Sequence, residues 1–458
     1  MESIPNASEL THFFKAVEAG DLQKVNQIIS KYSSTYQHLF WEARKPGASG
    51  KSDTAVHIAS RGDNVSLLRL AIGSGASLTA LNQHNKQPLH EAAQLGRLAC
   101  VEALLATASV PVDPLKRADW TPLMLTCAAA GTSSASASHS DRFVACAKLL
   151  LEHGADPTFT NKDGWNCLHS FIKLMELATY AYAFECFVLQ VDSTRDGSLA
   201  IVSLLLNHSP QLITTFTSNG RNCLHCVAAS GVDGKETHPS DASCCVEHMI
   251  IHLAPSLLQM PDACGTLPVF DALRRGHINR ASLFLELNPK EQLSHIDKLG
   301  QQAVHVASEA GQLGSLKMVV RYLGPKVIEA VTSEATGRQT PLHLACRSGQ
   351  IQIVQYITEI LQENSTVENV QRFLPLDSRG RSPLWYAAVG LPGRGNVSTD
   401  RKIACMKALC SVFTQTFPRM KTRHCPELLL SQLDLIIRSV SNADIIAFAN
   451  EQISNFLS

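Results

Sequence analysis

The 458-residue sequence has no excess of charge of either sign: 40 basic side chains are balanced by 40 acidic ones. Broad attraction to nucleic acid or to a membrane surface usually needs a basic excess, so neither is an expected partner, with local patches left open. A long hydrophobic run is missing too. The most apolar stretch, Leu177 to Val191, falls short of the roughly 20 residues that a spanning helix needs, and it contains Glu185. The start, Met1-Glu-Ser-Ile-Pro5, has neither a basic lead nor an apolar core, so no secretory leader is read there. Without a leader, the 14 cysteines read as reduced thiols, and the expected location is the cytosol, with the nucleus as a further one. A glycine-rich phosphate loop, a nucleophile elbow and a convincingly partnered carboxylate pair are also lacking. Neither ordinary enzyme chemistry nor a bound cofactor or metal is therefore expected.

What the sequence does hold is a repeated pattern, clearest from Gln87 to Leu105. Pro88 stands where the first residue of a helix would be, with a polar cap before it. Leu89, Ala92 and Ala93 put one apolar stripe on a two-turn helix, Gly96 ends it, and Val101, Leu104 and Leu105 stripe a second helix. A helix pair this small cannot bury its own apolar faces and becomes stable only by stacking on copies of itself.

The copies are present. The signature opens at Thr54, Gln87, Thr121, Asn166, Asn222, Leu267, Gln302, Thr340 and Ser382, which makes nine units. The first two steps are 33 and 34 residues long. Later steps are longer, with the excess mainly between the two helices of a unit: Thr132 to Asp141, Leu174 to Gly197, Val232 to Ala242 and Leu391 to Thr399. Three of these read as solvated loops. The apolar part of the fourth, Leu177 to Val191, is either a helix packed on that edge or an error in the gene model. Residues 1–50 read as an N-terminal capping unit with a divergent loop, 51–413 as the repeat array, and 414–458 as two capping helices from Leu428 to Ser439 and Ala443 to Phe456.

Six histidines, at 57, 90, 169, 225, 305 and 343, occupy the fourth position of the signature. Met124, Phe270 and Trp385 stand there in other units, which favours a structural role in locking repeat to repeat. Cys223-Leu-His-Cys226, with Cys244, Cys245 and His248 beyond it, has the look of a metal site, yet small buried thiols fit the same packing without a metal. More informative are the residues just before each cap: Asp53, Lys86, Trp120, Trp165, Arg221, Thr266, Gln301, Gln339 and Arg381. Trp120 and Trp165 belong to consecutive units in one register, so they are expected side by side on a turn-lined face. Lys116 and Arg117 precede the first, and Lys162 and Asp163 the second. Tryptophan and arginine are enriched at binding hot spots, so Trp120, Trp165, Arg117, Asp163, Arg221 and Lys86 form the candidate partner surface, one suited to a carboxylate-rich rim.

Together these features resemble the ankyrin-repeat family. The resemblance implies an all-α solenoid of stacked helix pairs with projecting turns, about nine repeats plus terminal caps. The turns Leu115-Lys-Arg-Ala-Asp-Trp120 and Asn161-Lys-Asp-Gly-Trp165 further resemble those of the ankyrin-repeat cofactors of alanyl-tRNA synthetase. That likeness runs from about Ser52 to Cys410 and leaves out the insertions and the tail. It implies a monomeric, non-catalytic partner of the synthetase whose lysines accept serine wrongly activated as its adenylate. Lys162 matches one acceptor. A second falls on Arg117, with Lys116 beside it, and a third on Thr214, which has no amine. Arginine stays charged and is no practical acyl acceptor. The acceptor candidates are thus Lys162 and Lys116, and the alternative is a scaffold for a different protein with no acceptor role.

Overall fold

A computed structural model describes residues 5–45, 52–132, 137–174, 197–230, 242–363, 372–390, 397–416 and 424–457. Leu177 to Val191, expected as a packed helix or a gene-model error, and most of the other insertions lie outside these residues. The chain forms two compact units, Met1–Leu257 and Leu258–Ser458.

In the first unit the pairs run from Ala7–Glu18 with Leu22–Ile29 through Ala55–Arg61 with Val65–Gly73 and Pro88–Gln94 with Leu98–Leu105. They continue with Pro122–Thr132 and Ala137–Glu152, Cys167–Leu174 and Gly197–His208, and Cys223–Ala229 and Ala242–Leu253. The second unit repeats the pattern at Pro268–Arg275, Ala303–Ala310, Pro341–Arg347 and Pro383–Val389, each with its following partner helix. All nine signature units are therefore helix pairs, and no strand occurs among the described residues; Lys116 and Trp120 make an isolated bridge.

Local chemistry explains where the helices begin. Pro88 is the first residue of its helix, and the cap residue and the histidine three positions on exchange reciprocal bonds at Thr54, Gln87, Asn222, Gln302 and Thr340. The short first helices bury nearly all their residues: Leu89, Ala92 and Ala93 are wholly inaccessible, as are Val101 and Leu104 of the partner helix.

Two features depart from the sequence pattern. Ser34–Glu42 is a third N-terminal helix where a divergent loop is expected, because Phe40 and Trp41 drive it onto Phe13, with ring centroids 5.1 and 5.4 Å away. The helix Ala137–Glu152 starts inside the expected serine-rich loop. At the other end of the chain, His424–Ser439 packs on Pro383–Val389, and Ala443–Leu457 on Thr399–Thr416.

Candidate interaction surface

Seven of the nine units are preceded by a five-residue turn closed by one amide: Asn82 N donates to Lys86 O at 3.0 Å, Asn161 N to Trp165 O at 2.9 Å, and Asp377 N to Arg381 O at 2.9 Å, while the turn before Thr340 is longer, with Thr332 N donating to Gln339 O at 3.0 Å. The first residue braces the turn from inside. Asn161 Oδ1 accepts from the amides of Asp163 and Trp165, both at 2.9 Å, and Asn82, Asp262, Asp297 and Asp377 do the same in their own turns. Neighbouring turns are stitched together: Lys162 N donates to Ala118 O at 3.2 Å, and Ser218 N to Asp163 O at 3.1 Å.

The turn carrying Trp120 breaks this rule. Its bridge is kept, with Lys116 N donating to Trp120 O at 3.1 Å, but Lys116 stands where the bracing Asn or Asp would be. Its amine lies over the Trp120 ring instead, 5.1 Å from the centroid. Burial, and then the charge of Lys86, hold the Lys116 amine below its ordinary pKa. Ala118 and Asp119 both take left-handed backbone, at φ 62° and 61°. His90 fixes this turn from behind, since its Nε2–H points at Pro114 O, 2.9 Å away, and Trp120 O, 3.3 Å away.

Trp120 and Trp165 are both half-buried on adjacent turns, while Arg117, Lys162 and Asp163 are exposed. The other candidates are tied down. Arg221 donates to His225 O at 3.0 Å, on the helix that follows its turn. Lys86 is held by Glu91 at 3.4 Å and by Gln94. Nor do all residues before the caps project. Asp53, Thr266 and Gln339 are buried, Asp53 because Arg61 at 2.9 Å and Asn82 at 3.0 Å hold its carboxylate, and Gln339 because it bonds the Tyr386 hydroxyl at 2.6 Å. Thr214, at the third matched acceptor position, donates its hydroxyl to Gln211 O at 3.0 Å.

The histidines divide into groups. In His57, His90, His305 and His343, Nδ1 accepts from the amide of the cap, and Nε2–H donates to a carbonyl of the following unit at 2.9 to 3.2 Å. These four lock unit to unit. His225 bonds the Asn222 side chain of its own cap at 2.9 Å. His169 is fully buried with no ring partner among the described residues, and the crossing bond there comes from the cap, Asn166 donating to Thr215 Oγ1 at 2.7 Å. Cys223 is buried, its thiol pointing at Ile213 O, and burial followed by Cys226 pushes its pKa up to about 12. The side chains of Cys244 and Cys245 lie outside the described residues, and no metal-holding cluster occurs within them.

Models of ankyrin repeats match residues 13–113, as three copies, and residues 118–162 and 337–365. The chain carries ankyrin repeats over these residues and has the ankyrin-repeat fold. An ankyrin repeat-containing protein of Schizosaccharomyces pombe is 29% identical over 137 residues, which is 30% of this chain and 45% of that protein. The chain thus spans less than half the length of that curated relative. The ankyrin repeat domain of Bcl-3, a member of the IkappaB protein family, aligns with a TM-score of 0.42 and 18% identity over 60% of this chain and 98% of that one. Ankyrin repeats are generally protein-interaction scaffolds, and no enzymatic family is indicated. Among the described residues, no helix is long and apolar enough to cross a membrane.

Sequence reasoning found the tryptophans and the lysines but missed the bracing position and the Asp53–Arg61–Glu91 network. The first was legible as the spacing Asn/Asp-x-x-Gly in Asn161 to Gly164, Asp262 to Gly265, Asp297 to Gly300 and Asp377 to Gly380. The second joins residues of different units, and nothing in the local pattern announces it.

Proposed function

We propose that this chain is a non-catalytic protein-binding scaffold whose docking surface is the stacked pair of turns Lys116–Trp120 and Asn161–Trp165. One observation carries the reading. Lys116 gives up the bracing bonds of its own turn and sets an amine over a half-buried tryptophan, with Arg117 and Lys162 exposed nearby. Departures from a local folding rule are expected at functional sites, and this one leaves an amine and an indole on the surface. The partner expected is a protein that covers the rings with apolar surface and meets the amines with carboxylates.

At finer grain, the resemblance to ankyrin repeat domain-containing protein sixteen supports alanyl-tRNA synthetase as the partner, met in the cytosol or the nucleus. The chemistry would be aminolysis. A neutral lysine amine attacks the acyl carbon of seryl adenylate, an amide forms, adenosine monophosphate leaves, and the amine proton passes to solvent. Lys162 is the exposed candidate. Lys116, whose pKa is held down by burial and by Lys86, keeps more neutral amine than an ordinary lysine. Arg117 and Thr214 contribute none.

The test is binding between the purified chain and the synthetase of the same organism, for the intact chain and for Trp120→Ala with Trp165→Ala. Binding weakened at least tenfold by the double substitution supports both partner and site, and mass spectrometry for serine on Lys116 and Lys162 then tests the acceptor role. No binding by the intact chain removes the synthetase and leaves the scaffold with another partner.

A further inference from the structure

Twelve large apolar side chains are exposed among the described residues, and six of them occupy a single register. Leu81, Leu115, Phe216, Ile296, Val331 and Leu376 each stand immediately before the first residue of a turn. Singly scattered surface apolars need no explanation, but half of the set at one position of a repeat of about 33 residues is not scatter. Three of the six come from consecutive units of the second compact unit: Ile296, Val331 and Leu376 are 58%, 43% and 46% exposed.

Their turns are stacked in register. Leu299 O accepts from Ser333 Oγ at 3.1 Å and Thr336 Oγ1 at 2.8 Å, and Ser378 N donates to Gly337 O at 2.9 Å. The three side chains therefore form one row. Beside it opens a cleft of about 270 Å³ lined by Val331, Leu342, Ile357, Leu361 and Pro375, with the Glu329–Arg372 ion pair in its wall. That volume lies below the roughly 300–1,000 Å³ of small-molecule sites and suits an inserted side chain.

The net charge along the row is positive. Lys298 and Arg379 are exposed at the turn tips, and Arg381 lies over the Trp385 ring at 4.1 Å. The acids nearby are already engaged: Asp297 and Asp377 are buried with their Oδ1 atoms on turn amides, and Glu334 pairs with Arg338 at 3.0 Å.

We propose that this row is a second docking surface, separate from the Trp120–Trp165 turns, for a linear segment of another protein in which large apolar side chains are interspersed with carboxylates. The apolar groups cover Ile296, Val331 and Leu376 and fill the cleft, while the carboxylates meet Lys298, Arg379 and Arg381. Charge complementarity selects this occupant, because a second copy of the chain docking through the same row would bring cations against cations.

The experiment pans a random peptide phage library against the full chain and measures the enriched peptides by fluorescence polarisation. Two double variants are used, Val331→Ser with Leu376→Ser and Lys298→Glu with Arg379→Glu, with circular dichroism melts as a check on folding. The expected result is enrichment of peptides carrying both apolar residues and Asp or Glu, bound at least tenfold more weakly by each double variant and unchanged by Trp120→Ala with Trp165→Ala. The proposal is overturned if nothing is enriched, if basic peptides are enriched, or if the variants bind as tightly as the intact chain. It is equally overturned if the substitutions instead abolish a dimer in sedimentation or adhesion to phosphatidylserine vesicles.

Discussion

His90, His169, His305 and His343 are neutral in the folded chain, since burial pushes each imidazole down to about 4. Unfolded, each titrates near 6.5. Between these values the unfolded chain binds protons that the folded chain refuses, so the contribution is complete above pH 6.5 and is lost as pH falls towards 4. Each histidine removes about 1.4 kcal/mol per pH unit within that window. The melting midpoint by circular dichroism should be flat from pH 7 to 8 and drop below 6.5, and an unchanged midpoint at pH 5 would contradict the assignment. Arg61 makes the second prediction at this scale. It pairs with Asp53 at 2.9 Å and Glu91 at 3.2 Å, both buried carboxylates. Burial alone would raise the Glu91 pKa, yet Arg61 and Lys86 bring it below the ordinary value. Because Arg61 is itself about a third exposed, Arg61→Ala should cost roughly 1–3 kcal/mol in urea unfolding, between the values of exposed and buried pairs.

The turn is the element that joins fold to function. Lys116→Asn would restore the bracing oxygen that Asn82 and Asn161 supply, so the variant should gain about 0.5–1.5 kcal/mol in urea unfolding. It would also remove the amine over Trp120 and weaken partner binding several-fold, an exchange of activity for stability. A variant that binds as well as the parent would place Lys116 outside the surface. Stacking of turns is equally testable. Gly164 has φ 74°, and a Cβ there would come within 2.3 Å of Ser218 N. Gly164→Ala should therefore cost more than about 2 kcal/mol through both strain and displacement, and it should speed hydrogen exchange at the Ser218 amide.

At the scale of the whole molecule, the two compact units carry different probes. Trp41, Trp120 and Trp165 lie in the first and Trp385 alone in the second. Gly300 has φ 76°, and a Cβ there would approach Ser333 N to 2.2 Å, so Gly300→Ala loosens the second unit. In that variant, helix loss followed by circular dichroism should begin at lower urea than the change in tryptophan fluorescence, whereas coincident curves would mean that the chain unfolds as one.

The repeats themselves were legible because each unit is local: Pro88, the Leu89, Ala92 and Ala93 stripe and Gly96 define a helix within one short stretch, and stacking only copies it. The positions of Trp120 and Trp165 followed from the same register. What the sequence could not supply were outcomes that depend on which group arrives across a unit boundary. Asp53 and Gln339 hold the same register as Trp120, but Arg61 and Asn82 draw the first inward and Tyr386 the second. His90 and His169 share one signature position, yet only His90 finds a carbonyl among the described residues. Local spacing by itself determined that this chain builds repeated helix pairs with projecting turns; tertiary packing decided which turn side chains remain for a partner, because a polar group is spent wherever a neighbouring unit offers it a bond.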